Sequence, residues 1–277
     1  MSEEKLTDRF TLYRFKLDRI LGEGGTGKVY RGLDPEKEQV VAIKRFHDSF
    51  FADKSHIRSF AKSVNDFRKF DHQNVVKILE FVSGDDGACL VMEYVDGPSL
   101  RWYIENRSWD LQERLVIAAQ VCNGLQYIHE KGYTHHDLKP GNVLFTRKGV
   151  VKLTDFSLSR ERLFGLMGGV ADQITPMYVS PELINKQKAT VHTDIYSLGI
   201  TFYYLFTEQI PFQVDNIREL WRCHLHVRPE HPSNVSKRCP KALGDIIMKM
   251  VQKDPAKRYD NCDELRIKIS DIGRSRI

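Results

Sequence analysis

Residues 134–142, THHDLKPGN, bring an acid, a base and an amide within nine positions. Asp137 can accept a proton from a hydroxyl, Lys139 can hold a transferring phosphate, and Asn142 can ligate a magnesium ion. Such a set needs a phosphate donor held against it. Residues 21–30, LGEGGTGKVY, offer a holder: Leu21 leads into Gly22-Glu23-Gly24-Gly25-Thr26-Gly27-Lys28, with Gly22, Gly24 and Gly27 in GxGxxG spacing and Val29 two places beyond. Glycine lets the backbone bring N–H groups up to phosphate oxygens without a Cβ in the way. The same string precedes a helix in dinucleotide-binding folds, whereas here Lys28-Val29-Tyr30-Arg31 reads as a strand. A tight hairpin without a ligand is the plain alternative. In Val41-Ala42-Ile43-Lys44 a lysine ends an apolar strand. Alone it reads as a solvated edge, and beside a glycine loop it becomes a candidate to hold α- and β-phosphates.

The elements that must position these groups divide into two textures. The first ~95 residues read mainly as strands, over 15–21, 28–33, 39–45, 75–82 and 89–95, broken by Gly and by Asp34-Pro35. Among them Ile57, Phe60, Val64 and Phe67 recur at three- and four-residue spacing, which predicts one amphipathic helix ending near Phe70. After Gly97-Pro98 the pattern turns helical. Residues 111–131 carry an apolar stripe of Leu115, Ala118, Ala119, Cys122, Leu125 and Ile128, stopped by Gly132. Residues 194–206 are apolar nearly all round and predict a buried central helix. Residues 242–251 and 262–272 read as surface helices. A hinge is expected at 93–97.

The bulk numbers agree with one large domain or two lobes. The 277 residues suffice for a buried core, and 41% hydrophobic with 29% charged residues is ordinary for a globular chain. The 42 Lys and Arg are interleaved with 37 Asp and Glu, for a formal charge of +5, so no basic face for nucleic acid is expected. Five scattered cysteines without a CxxC pair argue for reduced thiols and a cytoplasmic setting. The charged start MSEEKLTDRF does not read as a signal peptide, and no apolar run is long enough to span a membrane. The sequons at Asn106 and Asn234 read as chance.

Seven motifs in order carry a family resemblance. They are the glycine loop, VAIK, the HxDLKPxN stretch, Asp155-Phe156-Ser157, Ser180-Pro181-Glu182, Asp194-Ile195-Tyr196-Ser197-Leu198-Gly199 and Lys253-Asp254-Pro255-Ala256-Lys257-Arg258. Over residues 13–272 the chain resembles a protein kinase, nearest to the bacterial eukaryotic-like (Hanks-type) Ser/Thr kinases. The resemblance implies an α+β, two-lobed fold: an extension over 1–12, an N-lobe over 13–92 with an antiparallel sheet and one main helix, a hinge over 93–97 and a mainly helical C-lobe over 98–277. It implies ATP and Mg2+ as cofactors and protein Ser/Thr hydroxyls as acceptors. Leu21, Val29 and Ala42 then roof the adenine, Leu144 floors it, Met92 is the gatekeeper, and Glu93 and Val95 offer backbone hydrogen bonds. Asp155 and Asn142 ligate the metal ions, Asp137 deprotonates the acceptor, and Lys139 stabilises charge on the γ-phosphoryl. Thr175, before Pro176, reaches Asp137 and Lys139. Glu182 and Arg258 form a buried ion pair, and Asp194 braces the catalytic stretch. Lys139 marks the Ser/Thr form, since tyrosine kinases usually replace it. Small-molecule kinases share the HxDxxxxN loop but are not expected to carry the three later motifs.

Three positions depart from the family pattern. Nine residues before His72, where the glutamate partner of Lys44 is expected, stands Ser63, so Asp66 or Asp155 is the anion left for Lys44. His136 replaces the arginine that receives an activation-segment phosphate, and residues 160–174, RERLFGLMGGVADQI, hold no Ser, Thr or Tyr. Regulation by phosphorylation of that stretch is therefore not expected. Ser157 replaces a glycine and should restrict the backbone beside Asp155. Ser63 and Ser157 keep a second reading open, a pseudokinase that binds nucleotide or a partner without useful turnover. Two histidine groups invite a metal reading and are better explained otherwise: His135 as core packing, and Cys223-His224-Leu225-His226 with His231 as loop and helix-end surface.

Overall fold

In the first of the two units that make up the chain, residues 1–96, a six-stranded antiparallel sheet is joined by one main helix. The computed structural model describes residues 11–51, 53–156 and 176–274. The strands are β1 (Thr11–Leu12), β2 (Phe15–Gly24), β3 (Gly27–Asp34), β4 (Gln39–Phe46), β5 (Ile78–Gly84) and β6 (Gly87–Glu93), in the order β1-β2-β3-β4-β6-β5. Alternating Val, Ile and aromatic positions face one core: Phe15, Leu17, Tyr30, Val41, Ile43, Cys89 and Val91. Between β4 and β5 runs α1 (Lys54–Phe67), capped by the Asp53 carboxylate, which accepts from the Ser55 and His56 amides at 2.7 and 3.0 Å. Its Val64 and Phe67 are buried, and Phe60 meets Phe46, Phe51 and Phe81 edge-on at 5.1–5.3 Å.

The second unit, residues 97–277, is mainly helical. It contains α2 (Leu100–Asn106), α3 (Leu111–Glu130), the short hairpin β7 (Val143–Phe145) and β8 (Val151–Leu153), then α4 (Pro181–Ile184), α5 (Val191–Thr207), α6 (Ile217–His226), α7 (Pro232–Val235), α8 (Lys241–Met250) and α9 (Cys262–Arg274). Asp110 and Glu113 close a reciprocal capping box at the start of α3, and Gly132, at φ +79°, ends it in a conformation that disfavours a Cβ. In α5, fourteen of seventeen residues are buried, so it is the axis on which the unit packs. No helix among the described residues is long and apolar enough to cross a membrane.

Several boundaries differ from the sequence reading for local reasons. The strand expected from 75 begins at Ile78, because Val75 instead turns back to hydrogen-bond the His72 carbonyl at 3.1 Å. The strand expected over 89–95 occupies Gly87–Glu93. The hairpin β7–β8 was not expected, since three-residue strands are too short for a period-two pattern. Cys223 and His224 are not surface residues: α6 turns them inward, and His224 is fully buried with Nδ1 2.8 Å from the Tyr196 hydroxyl. No group of three metal-ligating side chains occurs among the described residues.

Candidate active site

The glycine segment forms a hairpin. β2 and β3 pair with Glu23 opposite Lys28 and Gly24 opposite Gly27, leaving Gly25-Thr26 as the two-residue turn. This strand–turn–strand arrangement is not the strand-to-helix turn of a dinucleotide fold. Glu23 and Lys28 pair across it at 3.1 Å, and His47 Nε2 lies 3.1 Å from the Gly24 carbonyl. The three motif glycines differ in why they are glycine. A Cβ on Gly27 would lie 2.1 Å from the Arg45 carbonyl oxygen, so the strand pairing itself demands its absence. A Cβ on Gly22 or Gly24 would meet no described atom within 4 Å. The fold does not require glycine at those two positions.

Behind the hairpin, Val29 pairs with Lys44 on β4, and Lys44 is 8% exposed with its ammonium 5.9 Å from the Phe46 ring centroid. Ala42 pairs with Met92 on β6, and both are buried, as is Val95, while Leu21 is exposed. Glu93 uses its N–H on the Lys77 carbonyl at 2.8 Å. Ser63 sits half-buried on α1 and donates to the Ser59 carbonyl at 3.3 Å, an internal helix contact. The Asp66 carboxylate accepts from Lys69 at 2.9 Å.

In the helical unit the three residues of the opening motif converge. Lys139 Nζ donates to both Asp137 oxygens, at 3.0 and 2.7 Å. Asn142 Nδ2 donates to Asp137 Oδ2 at 2.9 Å and to the Asp137 carbonyl at 2.7 Å. These two bonds fix the amide so that its oxygen, a hard neutral ligand, is left as an acceptor. The Thr154 N–H donates to the Asn142 carbonyl at 3.0 Å, which carries the chain directly to Asp155. Asp155 has φ +60°, a left-handed backbone uncommon for a non-glycine residue. Leu144 lies half-buried on β7 and bridges to Ser99.

A buried carboxylate holds this stretch from below. Asp194 Oδ2 accepts the His135 N–H at 2.6 Å, Oδ1 accepts the His136 N–H at 2.9 Å, and His129 Nε2 lies 2.8 Å from Oδ2. Burial pushes the Asp194 pKa up, but the hydrogen bond to His129 and its charge outweigh it and leave the group below its ordinary value. His136 is thereby held at φ +69°, with its ring Nε2 2.7 Å from Thr134 Oγ1. His135 is fully buried with its ring 6.5 Å from Phe156, and burial lowers its pKa, so it packs as a neutral ring. Glu182 and Arg258 form a bidentate pair at 2.8 and 2.9 Å, with side chains 5% and 0% exposed. Thr193 Oγ1 also donates to Glu182 at 2.9 Å.

Sequence reasoning missed His129 and Thr193. Each lies on a helix whose spacing marks it only as inward-facing, so its polar partner could not be read. Ser157 and Thr175, with residues 160–174, lie outside the described residues.

The model of the protein kinase domain family matches residues 15–269. The chain is a Hanks-type serine/threonine protein kinase domain. It is 32% identical over 254 residues, 91% of its length, to a probable serine/threonine-protein kinase of Clostridium perfringens, covering 37% of that protein. It is 30% identical over 264 residues to the serine/threonine-protein kinase PrkC of Bacillus subtilis, covering 92% of this chain and 40% of that one. The domain therefore spans about two fifths of the length of these curated relatives. Among solved structures, the kinase domain of Mycobacterium tuberculosis PknI superposes with a TM-score of 0.76 at 22% identity, covering 96% of this chain and 99% of that one.

Proposed function

We propose that this kinase domain transfers the γ-phosphoryl group of magnesium-bound ATP to serine or threonine hydroxyls of protein substrates. The observation that carries the reading is the Asp137 carboxylate, oriented by Lys139 and Asn142 at 2.7–3.0 Å. That geometry suits a base that takes the acceptor proton as the new oxygen–phosphorus bond forms and the bond to the β-phosphate oxygen breaks. Lys139, already beside this carboxylate, then balances negative charge on the γ-phosphoryl oxygens. Asn142 and Asp155 would hold Mg2+, which supplies charge neutralisation across the phosphates. Gly22, Gly24 and Lys44 would hold the phosphates themselves. Leu21, Val29, Ala42, Met92 and Leu144 would enclose the adenine, with Glu93 and Val95 offering backbone groups to its edge. In this reading residues 13–92 form the nucleotide lobe, 93–97 the hinge and 98–277 the lobe that binds protein substrate. The five cysteines, all free and buried, fit a reducing cytoplasmic setting.

A second reading, a nucleotide-binding pseudokinase, is favoured by one observation: α1 presents Ser63, with its hydroxyl on its own helix, where the family places the glutamate that orients the phosphate-binding lysine. The intact Asp137, Lys139, Asn142, Asp155 and Lys44 set favours the enzyme. Thermal-shift titration tests the shared foundation. ATP should raise the melting temperature and magnesium should enlarge the rise, the whole stabilisation being about 2.7 kcal/mol when the ligand stands at a hundredfold excess over Kd. No shift with ATP and magnesium together would remove the enzyme and the nucleotide-binding pseudokinase, and leave a pseudokinase that binds a partner.

A further inference from the structure

The turn of the glycine hairpin is held by a residue that belongs to neither of its strands. The ladder between the hairpin and β4 ends at Gly27 opposite Phe46. His47, the next residue, carries it on over the turn. Its N–H donates to the Thr26 carbonyl at 3.2 Å, and its ring Nε2 lies 3.1 Å from the Gly24 carbonyl. A carbonyl only accepts, so Nε2 carries the hydrogen. The His47 carbonyl in turn accepts the Phe50 N–H at 2.7 Å, at the start of the connection to α1. Both main-chain groups of His47 are thereby fixed, and they aim its half-buried imidazole at the hairpin.

The two bonds grip the turn at both ends, since Gly24 leads into Gly25-Thr26 and Thr26 leads out of it. A trans peptide points its N–H opposite to its C=O. Anchoring the Gly24 carbonyl therefore also sets the direction of the Gly25 N–H, one of the donors that phosphate oxygens would use. Gly24 and Gly25 have no side chains to hold the turn, and glycine backbone otherwise samples many conformations. The imidazole supplies from outside the restraint that the turn itself lacks. The same strand carries Lys44, three residues before His47 and opposite Val29. One strand thus sets both phosphate holders, the lysine and the hairpin, in a single register.

We propose that His47 is a positioning residue for the nucleotide: its ring clasps the Gly24 carbonyl and holds the hairpin turn in the shape that receives the phosphates. The inference rests on the nucleotide-binding part of the proposed function, and it is measured by binding alone. Adenosine, which has no phosphates, serves as the control for the rest of the site.

The test compares wild type with two variants. His47→Phe keeps a flat ring without the donor, and His47→Gln offers an amide N–H at a similar reach to Nε2. Calorimetric titration with magnesium and the non-hydrolysable ATP analogue AMP-PNP should show about three- to tenfold weaker binding in His47→Phe, the worth of one hydrogen bond. His47→Gln should restore the wild-type affinity. Glutamine is never charged, so that recovery separates the hydrogen bond from any charge on the imidazole. Adenosine should bind all three proteins equally, whereas a general collapse of the lobe would weaken it too. Unchanged AMP-PNP binding in His47→Phe, no recovery in His47→Gln, or a matching loss of adenosine would overturn the clasp. A wild-type protein that binds neither AMP-PNP nor adenosine would refute the proposed function, and the clasp with it. The expected binding pattern without phosphoryl transfer to any protein would uphold the clasp and refute the transferase alone.

Discussion

Replacing Asp194 with asparagine tests the link between the helical core and the catalytic stretch. The carboxylate is 1% exposed and both oxygens are used: Oδ2 by His129 and the His135 N–H, Oδ1 by the His136 N–H. An amide can put its oxygen at only one of those places. The better choice keeps the two bonds at Oδ2 and turns the NH2 towards the His136 N–H, setting two donors face to face in a buried site. Stranding that N–H costs about 1–3 kcal/mol, and the two surviving bonds each lose about 1 kcal/mol of charge assistance. The sum, roughly 3–5 kcal/mol, corresponds to a melting temperature lower by about 10 °C for a unit of this size. The penalty should depend on pH. Asp194 titrates below its ordinary value of 3.8 in the folded protein. Its contribution is therefore complete above the unfolded pKa and is lost as pH falls through the folded one. The gap between wild type and Asp194→Asn should close in acid below about pH 4. Because the stranded N–H belongs to His136, the residue before Asp137, the base should also shift, and turnover should drop by about 10²-fold. Calorimetry over pH 3–8 and steady-state kinetics give both readouts. A melting temperature within 2 °C of wild type, with unchanged turnover, would refute this reasoning.

Arg258→Ala should destabilise by about 3–5 kcal/mol in urea denaturation, because it strands the Glu182 carboxylate, which is 4% exposed; a cost under 1 kcal/mol would mean that water reaches the site. Burial raises the Glu182 pKa, but Arg258 more than offsets this and leaves it below the usual carboxylate value. The pair's stabilisation should accordingly fade as pH drops below the unfolded carboxylate pKa of about 4.3. Ser63→Glu should raise turnover by roughly tenfold, the effect of about 1.4 kcal/mol of better phosphate positioning, by giving α1 the carboxylate the family uses there. Unchanged turnover and unchanged KM for ATP in that variant would show that α1 takes no part in orienting Lys44.

What could be read from the chain and what could not divide along physical lines. Asp137, Lys139 and Asn142 were legible because five consecutive spacings put all three functional groups on one tight loop, and they meet at hydrogen-bond distance. The Glu182–Arg258 pair, separated by 76 residues, was legible only through the family resemblance, since no local pattern links them. The axial helix α5 could be read from its all-round apolarity, whereas α2 could not, because seven residues with two buried positions carry too little periodicity. His224 was read as surface from a polar-looking cluster. Its burial depends on Tyr196 and Phe212 arriving from other elements, with the Phe212 ring 5.2 Å away. Burial lowers its pKa to about 3, so it stays neutral there.

The central claim, that Asp137 is the base of a phosphoryl transfer, is tested most directly by incubating the domain with γ-labelled ATP, magnesium and a serine-containing protein, beside an Asp137→Asn variant. Label should appear on serine or threonine of the acceptor with wild type, with a loss of at least about 10²-fold in the variant while the magnesium–ATP thermal shift persists. Transfer undiminished in Asp137→Asn, or no transfer by a wild-type protein that binds magnesium–ATP, would contradict it.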